Sequence, residues 1–384
     1  MHRSNPYSET SCHATPTPDV VVLGGGLSGR LIAWRLARTG HHVALYEQGA
    51  PSGYYGAAWV AAAMLAPLAE AASAERFLVE LGAASLERWA EWLPQLPQPV
   101  FFQRNGTLIV WHAADRSEWL LFEQRVRKNA PITMLHDGIV VLHGAQVTRA
   151  EPTLGTRFHD ACLLANEGQL DNRQLLLALA SALDELRVDT HWHTCVREDA
   201  MPTAGLIIDC RGLGAKCAWS NLRGVRGEVA RVYAPGISLS RPARLLHPRY
   251  PLYVAPKQDN HYVIGATEIE SEDMSPVSVR STLELLSAAY SLHPAFGEAR
   301  ILELNSHCRP TLPDHCPALS WDGALTLRVN GLYRHGYMIA PEIARETIAL
   351  ADALLNTRVR DIDDFNTWRT DSRWPKLYHT AKPD

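Results

Sequence analysis

Three glycines near the start of the chain have the spacing of a phosphate-binding turn. Gly24, Gly26 and Gly29 follow the order Gly-x-Gly-x-x-Gly directly after an apolar run, Val20–Leu23. In such a turn the first glycine allows a tight bend and the second lets the backbone approach a pyrophosphate. The third lets the following helix pack against the strand. The spacing alone also fits a glycine-rich turn that binds nothing, so the neighbouring residues must decide.

The segments on either side of these glycines are the ones that a dinucleotide site requires. Val20–Leu23 predicts a buried parallel strand. Leu27–Thr39 has apolar residues at helical spacing and is closed by Gly40. His42–Tyr46 predicts a second strand, which ends at Glu47, about 20 residues beyond the glycines, where an acid accepts hydrogen bonds from an adenosine ribose. We expect the pyrophosphate of FAD or NAD at the helix N-terminus. The predicted contacts in this part of the chain are Gly24, Gly26, Leu27, Ser28, Gly29, Glu47 and Gln48.

The composition limits the class of protein. The chain has 384 residues, of which 46% are hydrophobic, and this is enough for two domains with large cores. Its net charge of −4 gives no sign of a nucleic-acid partner. No run approaches the length of a membrane-spanning helix, so we expect no membrane association. Residues 1–18 lack the apolar part of a signal peptide, and we expect a disordered leader and a cytoplasmic protein.

An alanine-rich stretch, residues 57–67 (the alanine segment), carries a more specific signal. Its sequence, Ala-Ala-Trp-Val-Ala-Ala-Ala-Met-Leu-Ala-Pro, could be no more than a tightly packed helix. Following a dinucleotide fold, however, it resembles the flavin-contacting loop of the D-amino-acid oxidase superfamily, most closely that of the glycine oxidases of thiamine biosynthesis. The resemblance extends from about Asp19 to Leu355 and implies non-covalent FAD as the cofactor. It assigns flavin contacts to Ala57, Ala58, Ala62, Ala63 and Met64.

The same resemblance implies further cofactor contacts toward the C-terminus. Val196 would contact the adenine through its backbone. Residues 330–341 match the turn that opens the family's last helix, whose backbone N–H groups face the flavin edge that becomes negative on reduction. An ordinary glycine turn is the alternative. The positions implied here are Leu332, Tyr333, Arg334, His335, Gly336, Tyr337 and Met338.

Four side chains are the candidates for substrate binding. Arg309 precedes a proline, as in the family's Arg-Pro motif, whose guanidinium holds a substrate carboxylate through two parallel hydrogen bonds. The alternative is a surface arginine paired with Asp314. Tyr253 matches a tyrosine that reaches the same carboxylate, although an aromatic residue on a strand can also be core. Arg334 lies in the C-terminal turn. Glu268 stands where the family has a methionine facing the substrate, and it either shapes the pocket or points to solvent.

The resemblance also implies an activity. No acid–base pair is evident, and none is needed, because the α-C–H of a neutral amine passes as a hydride to the flavin. We therefore expect no catalytic side chain and no metal, and we expect His307 to pack near the ring rather than to bind it covalently. The expected reaction oxidises glycine, sarcosine or a small D-amino acid to an imine and then a 2-oxo acid, reduces O2 to H2O2, and serves thiazole formation. The expected partners are the small amino acid, O2 and further copies of the chain, with a homotetramer suggested by the relatives.

Two other functions stay open from the sequence. The first is a D-amino-acid or secondary-amine dehydrogenase that passes electrons to an acceptor other than oxygen. The second is a non-catalytic flavin-binding protein. Reduction of the flavin by an amine would exclude the non-catalytic protein. Reoxidation by air would then separate an oxidase from a dehydrogenase.

The order of elements predicts an α/β protein made of two discontinuous domains. A Rossmann-like FAD-binding domain is assigned residues 19–72, 145–224 and 301–358. An inserted α+β substrate-binding domain with a mixed, largely antiparallel sheet is assigned residues 73–144 and 225–300. Residues 359–384 are predicted to form a C-terminal tail.

Overall fold

The computed structural model describes residues 17–249 and 251–380, so nearly all of the predicted leader lies outside the described residues. The strands are β1 (Val20–Leu23), β2 (Val43–Tyr46), β3 (Met64–Leu65), β4 (Phe102–Gln103), β5 (Thr107–Trp111), β6 (Ile139–His143), β7 (Asp160–Leu164), β8 (Gly168–Leu170), β9 (Asp189–His191), β10 (Leu206–Asp209), β11 (Arg223–Tyr233), β12 (Ala243–Leu246), β13 (Leu252–Pro256), β14 (His261–Gly265), β15 (Arg300–Thr311), β16 (Ala318–Trp321), β17 (Thr326–Asn330) and β18 (Tyr378–Thr380).

The helices connect these strands. They are α1 (Leu27–Arg38), α2 (Ala57–Val60), α3 (Pro67–Glu70), α4 (Arg76–Trp92), α5 (Arg116–Asn129), α6 (Ile132–Gly138), α7 (Ala145–Ala150), α8 (Pro152–Gly155), α9 (Asn172–Glu185), α10 (Val279–Leu292), α11 (Gly336–Leu355) and α12 (Ile362–Asp371). In the part of the chain that the structure describes, none of them is long and apolar enough to cross a membrane.

A seven-stranded sheet carries the predicted glycine turn. Its strand order is β18-β16-β17-β10-β1-β2-β9. β1 pairs in parallel with both β10 and β2. Every residue of β1 is fully buried, as expected for a strand covered on both faces. Helices α1, α9 and α11 contribute side chains to the same hydrophobic core, and the turn after β1 therefore rests on a rigid base.

An eight-stranded sheet forms the second half of the molecule. Its order is β15-β11-β14-β13-β12-β5-β7-β6, and its pairs are antiparallel except for β12 with β5. The hairpin of β13 and β14 turns at Asp259 and Asn260, both with a positive φ, a conformation that Asn and Asp adopt readily in tight turns. One core of this sheet includes side chains of α10, and another includes side chains of α5.

The structure divides the chain differently from the prediction in four places. Helix α4, assigned to the substrate-binding domain, instead places side chains such as Leu81 and Trp89 in the core of the seven-stranded sheet. Residues 145–155, expected to return to the nucleotide-binding domain, instead place Val147 and Leu154 in the core of the eight-stranded sheet. β15 is an edge strand of that sheet, so the chain rejoins the seven-stranded sheet only at β16. The expected tail contains α12, which buries Phe365, and β18, which pairs with β16. Periodicity identifies a strand or helix but not the element on which it packs.

Candidate active site

One continuous cavity of about 1210 Å³ is lined by residues from both large sheets. Of the predicted site residues, all but Gly29 border it. At the nucleotide part lie Gly24, Gly26, Leu27, Ser28, Glu47, Gln48 and Val196. The same cavity is bordered by the predicted residues of the alanine segment and of the turn before α11. They are Ala57, Ala58, Ala62, Ala63, Met64, Leu332, Tyr333, Arg334, His335, Gly336, Tyr337 and Met338. The substrate part is bordered by Tyr253, Glu268, Arg309 and Arg334.

The glycines of the nucleotide part differ in what surrounds them. Gly24 has a φ of +92°, and a Cβ there would lie 2.7 Å from the carbonyl oxygen of Cys210. A Cβ on Gly29 would lie 1.9 Å from the carbonyl oxygen of Gly24, which explains why Gly29 packs beneath the turn and does not reach the cavity. A Cβ on Gly26 would meet nothing within 4 Å. The backbone at Gly26 is therefore open to a bound group.

Glu47 closes the nucleotide part from the end of β2. Its carboxylate accepts hydrogen bonds from the backbone N–H groups of Gly25, at 2.5 Å, and Gly49, at 2.6 Å. No side chain caps the N-terminus of α1. Its first N–H groups are thus available to an anion, which the helix dipole also favours.

The alanine segment is held by buried polar side chains, of which the sequence had singled out only Tyr337. Asn172 Nδ2 donates to the carbonyl of Ala58 at 3.0 Å, and the hydroxyl of Tyr337 donates to the same carbonyl at 2.9 Å. Lys257 Nζ donates to the carbonyl of Ala62 at 2.9 Å. Burial lowers the pKa of Lys257 to about 7. This part of the cavity wall is therefore a fixed surface with small side chains.

Four charged side chains at the substrate part form a network (the charge network: Glu70, Arg244, Glu268 and Arg334). Glu70 Oε1 lies 2.6 Å from Arg244 Nη2, and its Oε2 lies 2.8 Å from Arg334 Nε. Arg334 Nη1 also donates to Glu268 Oε2 at 2.8 Å. Burial would raise the pKa of Glu70, but the charges of Arg334 and Arg244 outweigh it and lower that pKa below its usual value. The network holds two positive and two negative charges.

Arg309 stands apart from this network. Its Nη1 and Nη2 donate to the carbonyls of Arg226, at 3.4 Å, and Thr267, at 3.2 Å. It pairs with no acid that the structure describes, and Asp314, the expected alternative partner, instead accepts from the backbone N–H of Cys316. Hydrogen bonds to two carbonyls do not neutralise Arg309, and no carboxylate of the described residues lies within ion-pair distance of its guanidinium. The guanidinium can thus bind an anion from the cavity.

Two glycines of the eight-stranded sheet make room for the predicted substrate residues. A Cβ on Gly227 would lie 2.2 Å from Nη2 of Arg309, and a Cβ on Gly265 would lie 2.6 Å from the hydroxyl oxygen of Tyr253. Burial raises the pKa of Tyr253, so its hydroxyl stays protonated and can donate a hydrogen bond. Both glycines lie in stretches that resemble the family's strands, but their role, the close approach of β11 and β14 to these side chains, is visible only in the structure.

Two histidines border the cavity with different surroundings. Burial lowers the pKa of His335 to about 4, so its ring is neutral at pH 7. Nδ1 of His307 lies 2.9 Å from the carbonyl oxygen of Cys308. Within residues 17–249 and 251–380, no group of three or more His, Cys, Asp or Glu side chains is placed to hold a metal ion.

The glycine turn, the buried parallel strands and the long cavity define a class of protein. Residues 19–350 match the model of the FAD dependent oxidoreductase family, and the chain belongs to that family. It is 39% identical, over 327 residues, to a protein of Rhizobium etli that carries the name thiamine biosynthesis oxidoreductase ThiO, and the match covers 85% of this chain and 94% of that protein.

Solved structures share the fold at lower sequence identity. Glycine oxidase from Geobacillus kaustophilus has a TM-score of 0.74 and 24% identity, with 89% of this chain and 95% of that chain covered. Iminodiacetate oxidase from Chelativorans sp. BNC1 has a TM-score of 0.75 and 20% identity, with 94% and 99% covered. Together with the family match, these similarities confirm the predicted superfamily, the α/β fold class and an FAD-dependent oxidoreductase.

The residues present fit FAD. The open side of Gly26, the uncapped N-terminus of α1 and the small side chains of the alanine segment suit a pyrophosphate and a flat ring. Seven arginines but only four acidic residues border the cavity. Three of these arginines, Arg244, Arg309 and Arg334, lie at the substrate part, so the excess of positive charge favours an anionic ligand there.

Proposed function

We propose that this protein oxidises glycine, and with it sarcosine or a small D-amino acid, in an FAD-dependent reaction that reduces O2 to H2O2. The imine first formed would serve thiazole formation or hydrolyse to the 2-oxo acid. The observation that carries the proposal is Arg309, a cation at the cavity wall with no acid partner among the described residues. An amino-acid carboxylate would supply that partner through two parallel hydrogen bonds.

The cofactor would be held without a covalent link along two parts of the cavity. The backbone around Gly26 and α1 would bind the pyrophosphate, and Glu47 would accept from the ribose. The alanine segment and the N-terminal turn of α11 would border the flavin, and the N–H groups of that turn favour negative charge. FAD, when bound, accepts a hydride from the substrate carbon and passes the electrons to oxygen.

The protein's own contribution would be alignment. Arg309 would fix the carboxylate, and the hydroxyl of Tyr253 would donate a second hydrogen bond to it. The substrate carbon next to that carboxylate would then be held in one orientation, which is the main requirement when no proton donor or acceptor is needed at the reacting atom. The complete reaction consumes glycine, water and O2 and yields glyoxylate, ammonia and H2O2.

The similar proteins support this reaction class without fixing the substrate. The Rhizobium etli relative is named for thiamine biosynthesis, and the two solved structures are named as oxidases of glycine and of iminodiacetate. The two structure names concern the oxidation of a small amino acid and of a related amine, and the relative's name concerns an oxidoreductase of thiamine biosynthesis. The cytoplasmic location and the homo-oligomer stay predictions from the sequence.

An anaerobic titration tests the proposal. The visible spectrum of the holoenzyme is recorded while glycine, sarcosine, iminodiacetate and a set of D-amino acids are added in turn. We expect glycine to bleach the oxidised flavin and air to restore its colour, with one H2O2 formed per flavin reoxidised. Bleaching that air does not reverse would identify a dehydrogenase with another acceptor. A flavin that no amine bleaches would contradict an amine oxidase altogether.

A further inference from the structure

Glu268 occupies the cavity wall beside Arg309. It follows Thr267, whose carbonyl accepts from Nη2 of Arg309 at 3.2 Å, and its own carboxylate borders the cavity with 46% of its side chain exposed. Burial would raise the pKa of Glu268, but a hydrogen bond from the Tyr333 hydroxyl and the charge of Arg334 outweigh it and lower that pKa. Glu268 is therefore ionised at neutral pH. A cation and an anion lie next to each other at the substrate part.

The ion pair with Arg334 does not occupy all the acceptor sites of the Glu268 carboxylate. Arg334 already faces Glu70, 2.8 Å from its Nε, and donates through Nη2 to Ser73 Oγ at 2.6 Å. An ionised carboxylate has about four acceptor sites. Arg334 and Tyr333 engage two of those on Glu268, and the half-exposed side chain leaves acceptor capacity toward the cavity.

An α-amino acid carries its carboxylate and its amine on the same carbon, so a cation for the carboxylate and a hydrogen-bond acceptor for the amine must lie close together. We propose that Glu268 accepts a hydrogen bond from the substrate amine while Arg309 holds the carboxylate. The pair then selects α-amino acids over carboxylates that lack an amine. It also disfavours substrates whose second carboxylate would approach Glu268. The inference rests on the proposed function, because it takes Arg309 as the carboxylate site.

The selection follows from the charges of Arg309 and Glu268. Acetate would gain the interaction with Arg309 but meet the negative charge of Glu268 with no N–H to offer. Glycine would satisfy both groups. A substrate such as iminodiacetate would place an additional negative charge beside Glu268, and like charges at such short range are unfavourable even after screening by Arg334.

Two constants measured on the holoenzyme test the proposal: the KM for glycine and the competitive inhibition constant for acetate. In Glu268→Met we expect the glycine KM to rise ~10-fold or more, as for a lost hydrogen bond to a charged group. In Glu268→Gln, whose amide oxygen still accepts but carries no charge, we expect a smaller rise. The acetate constant should stay unchanged or fall. The turnover of iminodiacetate relative to glycine should increase. Glu268→Met, which restores the family's residue, should behave like Glu268→Gln toward acetate.

Ser73→Ala is the matched control. It removes another partner of Arg334 but leaves the charge of Glu268 in place, so the ratio of the two constants should match wild type. If Glu268→Met changes both constants by the same factor, or neither, Glu268 does not contact the amine and the proposal is wrong. If Arg309→Ala leaves acetate inhibition intact, the carboxylate site itself is misassigned, and this is a failure of the proposed function that the Glu268 variants alone would not produce.

Discussion

The two parts of the cavity are built in opposite ways. The nucleotide part is made of backbone groups from one short turn, between β1 and α1, with Glu47 from the next strand. The substrate part is made of side chains from α3, β12, β13 and β15, from the segment just after β14, and from the turn just before α11. A site made of consecutive backbone groups is fixed by local conformation. A site made of distant charged side chains is complete only when both sheets are formed.

The largest expected effect is the loss of stability caused by a substitution beneath the glycine turn of the nucleotide part. In Gly29→Ala the new Cβ would lie 1.9 Å from the carbonyl oxygen of Gly24. We expect a loss of ~4 kcal/mol or more in the free energy of unfolding, as for a severe core clash. Urea unfolding in the absence of FAD measures it.

Gly26→Ala supplies the contrast, because its Cβ would meet no protein atom within 4 Å. The free energy of unfolding without FAD should change by less than ~1 kcal/mol, a cost set mainly by backbone preference. The affinity for FAD, measured by fluorescence titration, should fall steeply. Equal losses of stability in the two variants would show that the glycines do not have separate roles.

The next effect isolates the substrate part. In Arg309→Ala we expect the glycine KM to rise ~10²–10³-fold, the cost of two charge-assisted hydrogen bonds. FAD affinity should not change, since the nucleotide part is untouched. The glycine KM of Arg309→Lys should lie between those of wild type and Arg309→Ala, because lysine keeps the positive charge but not the paired donors. Steady-state kinetics with parallel FAD titrations check all three proteins, and a loss of FAD from Arg309→Ala would contradict the division.

A smaller effect tests whether the charge network also stabilises the fold. Glu70→Gln removes the carboxylate between Arg244 and Arg334, and we expect the free energy of unfolding to fall by ~3 kcal/mol, as when one member of a buried ion pair is lost. The pKa of Glu70 is lowered in the folded protein, so its contribution is present above the unfolded pKa, near ~4.3.

That contribution is lost as the pH falls toward the folded pKa. The difference between wild type and Glu70→Gln should therefore shrink below about pH 4. Urea unfolding at a series of pH values measures it. A difference that grows on acidification would mean that the carboxylate is not held ionised by the two arginines.

The last effect is a gradual change with pH and concerns Lys257, whose pKa of about 7 in the folded protein lies below its unfolded value, near ~10.4. Between these values the unfolded chain binds the proton more often, so stability rises with pH. We expect a rise of up to ~1 kcal/mol per pH unit between pH 7 and 10 in wild type relative to Lys257→Met. Parallel slopes for the two proteins would show that this ammonium is not desolvated.

The same contrast explains which parts of the fold and the site could be predicted from the sequence. β1, α1 and β2 follow from an apolar run, helical spacing and three glycines, because local conformation decides each of them. Gln169, Asn172 and Lys257 give no such signal: their buried partners come from distant segments. Glu70 offered one hint, an acid within the apolar stretch Leu65–Ala72, where burial without a partner would be costly.

The substrate residues show the limit most clearly. Arg309 and Tyr253 were predicted through a family resemblance, whereas Arg244 was not predicted and contacts Glu70 from a strand far along the chain. Spacing could not anticipate that β15 stays with the eight-stranded sheet or that β18 joins the other one, because strand pairing depends on packing across the whole molecule. The roles of these residues stay predictions until they are measured.

The seven-stranded sheet also has a consequence for how the protein is made. β1 and β2 lie within the first 46 residues, but β16, β17 and β18 all come after residue 317. During synthesis the earliest strands leave the ribosome long before the sheet can be completed. The nascent chain would expose fully apolar strands such as β1 to chaperones. The time until β1 is covered would grow with the length of chain between β2 and β16.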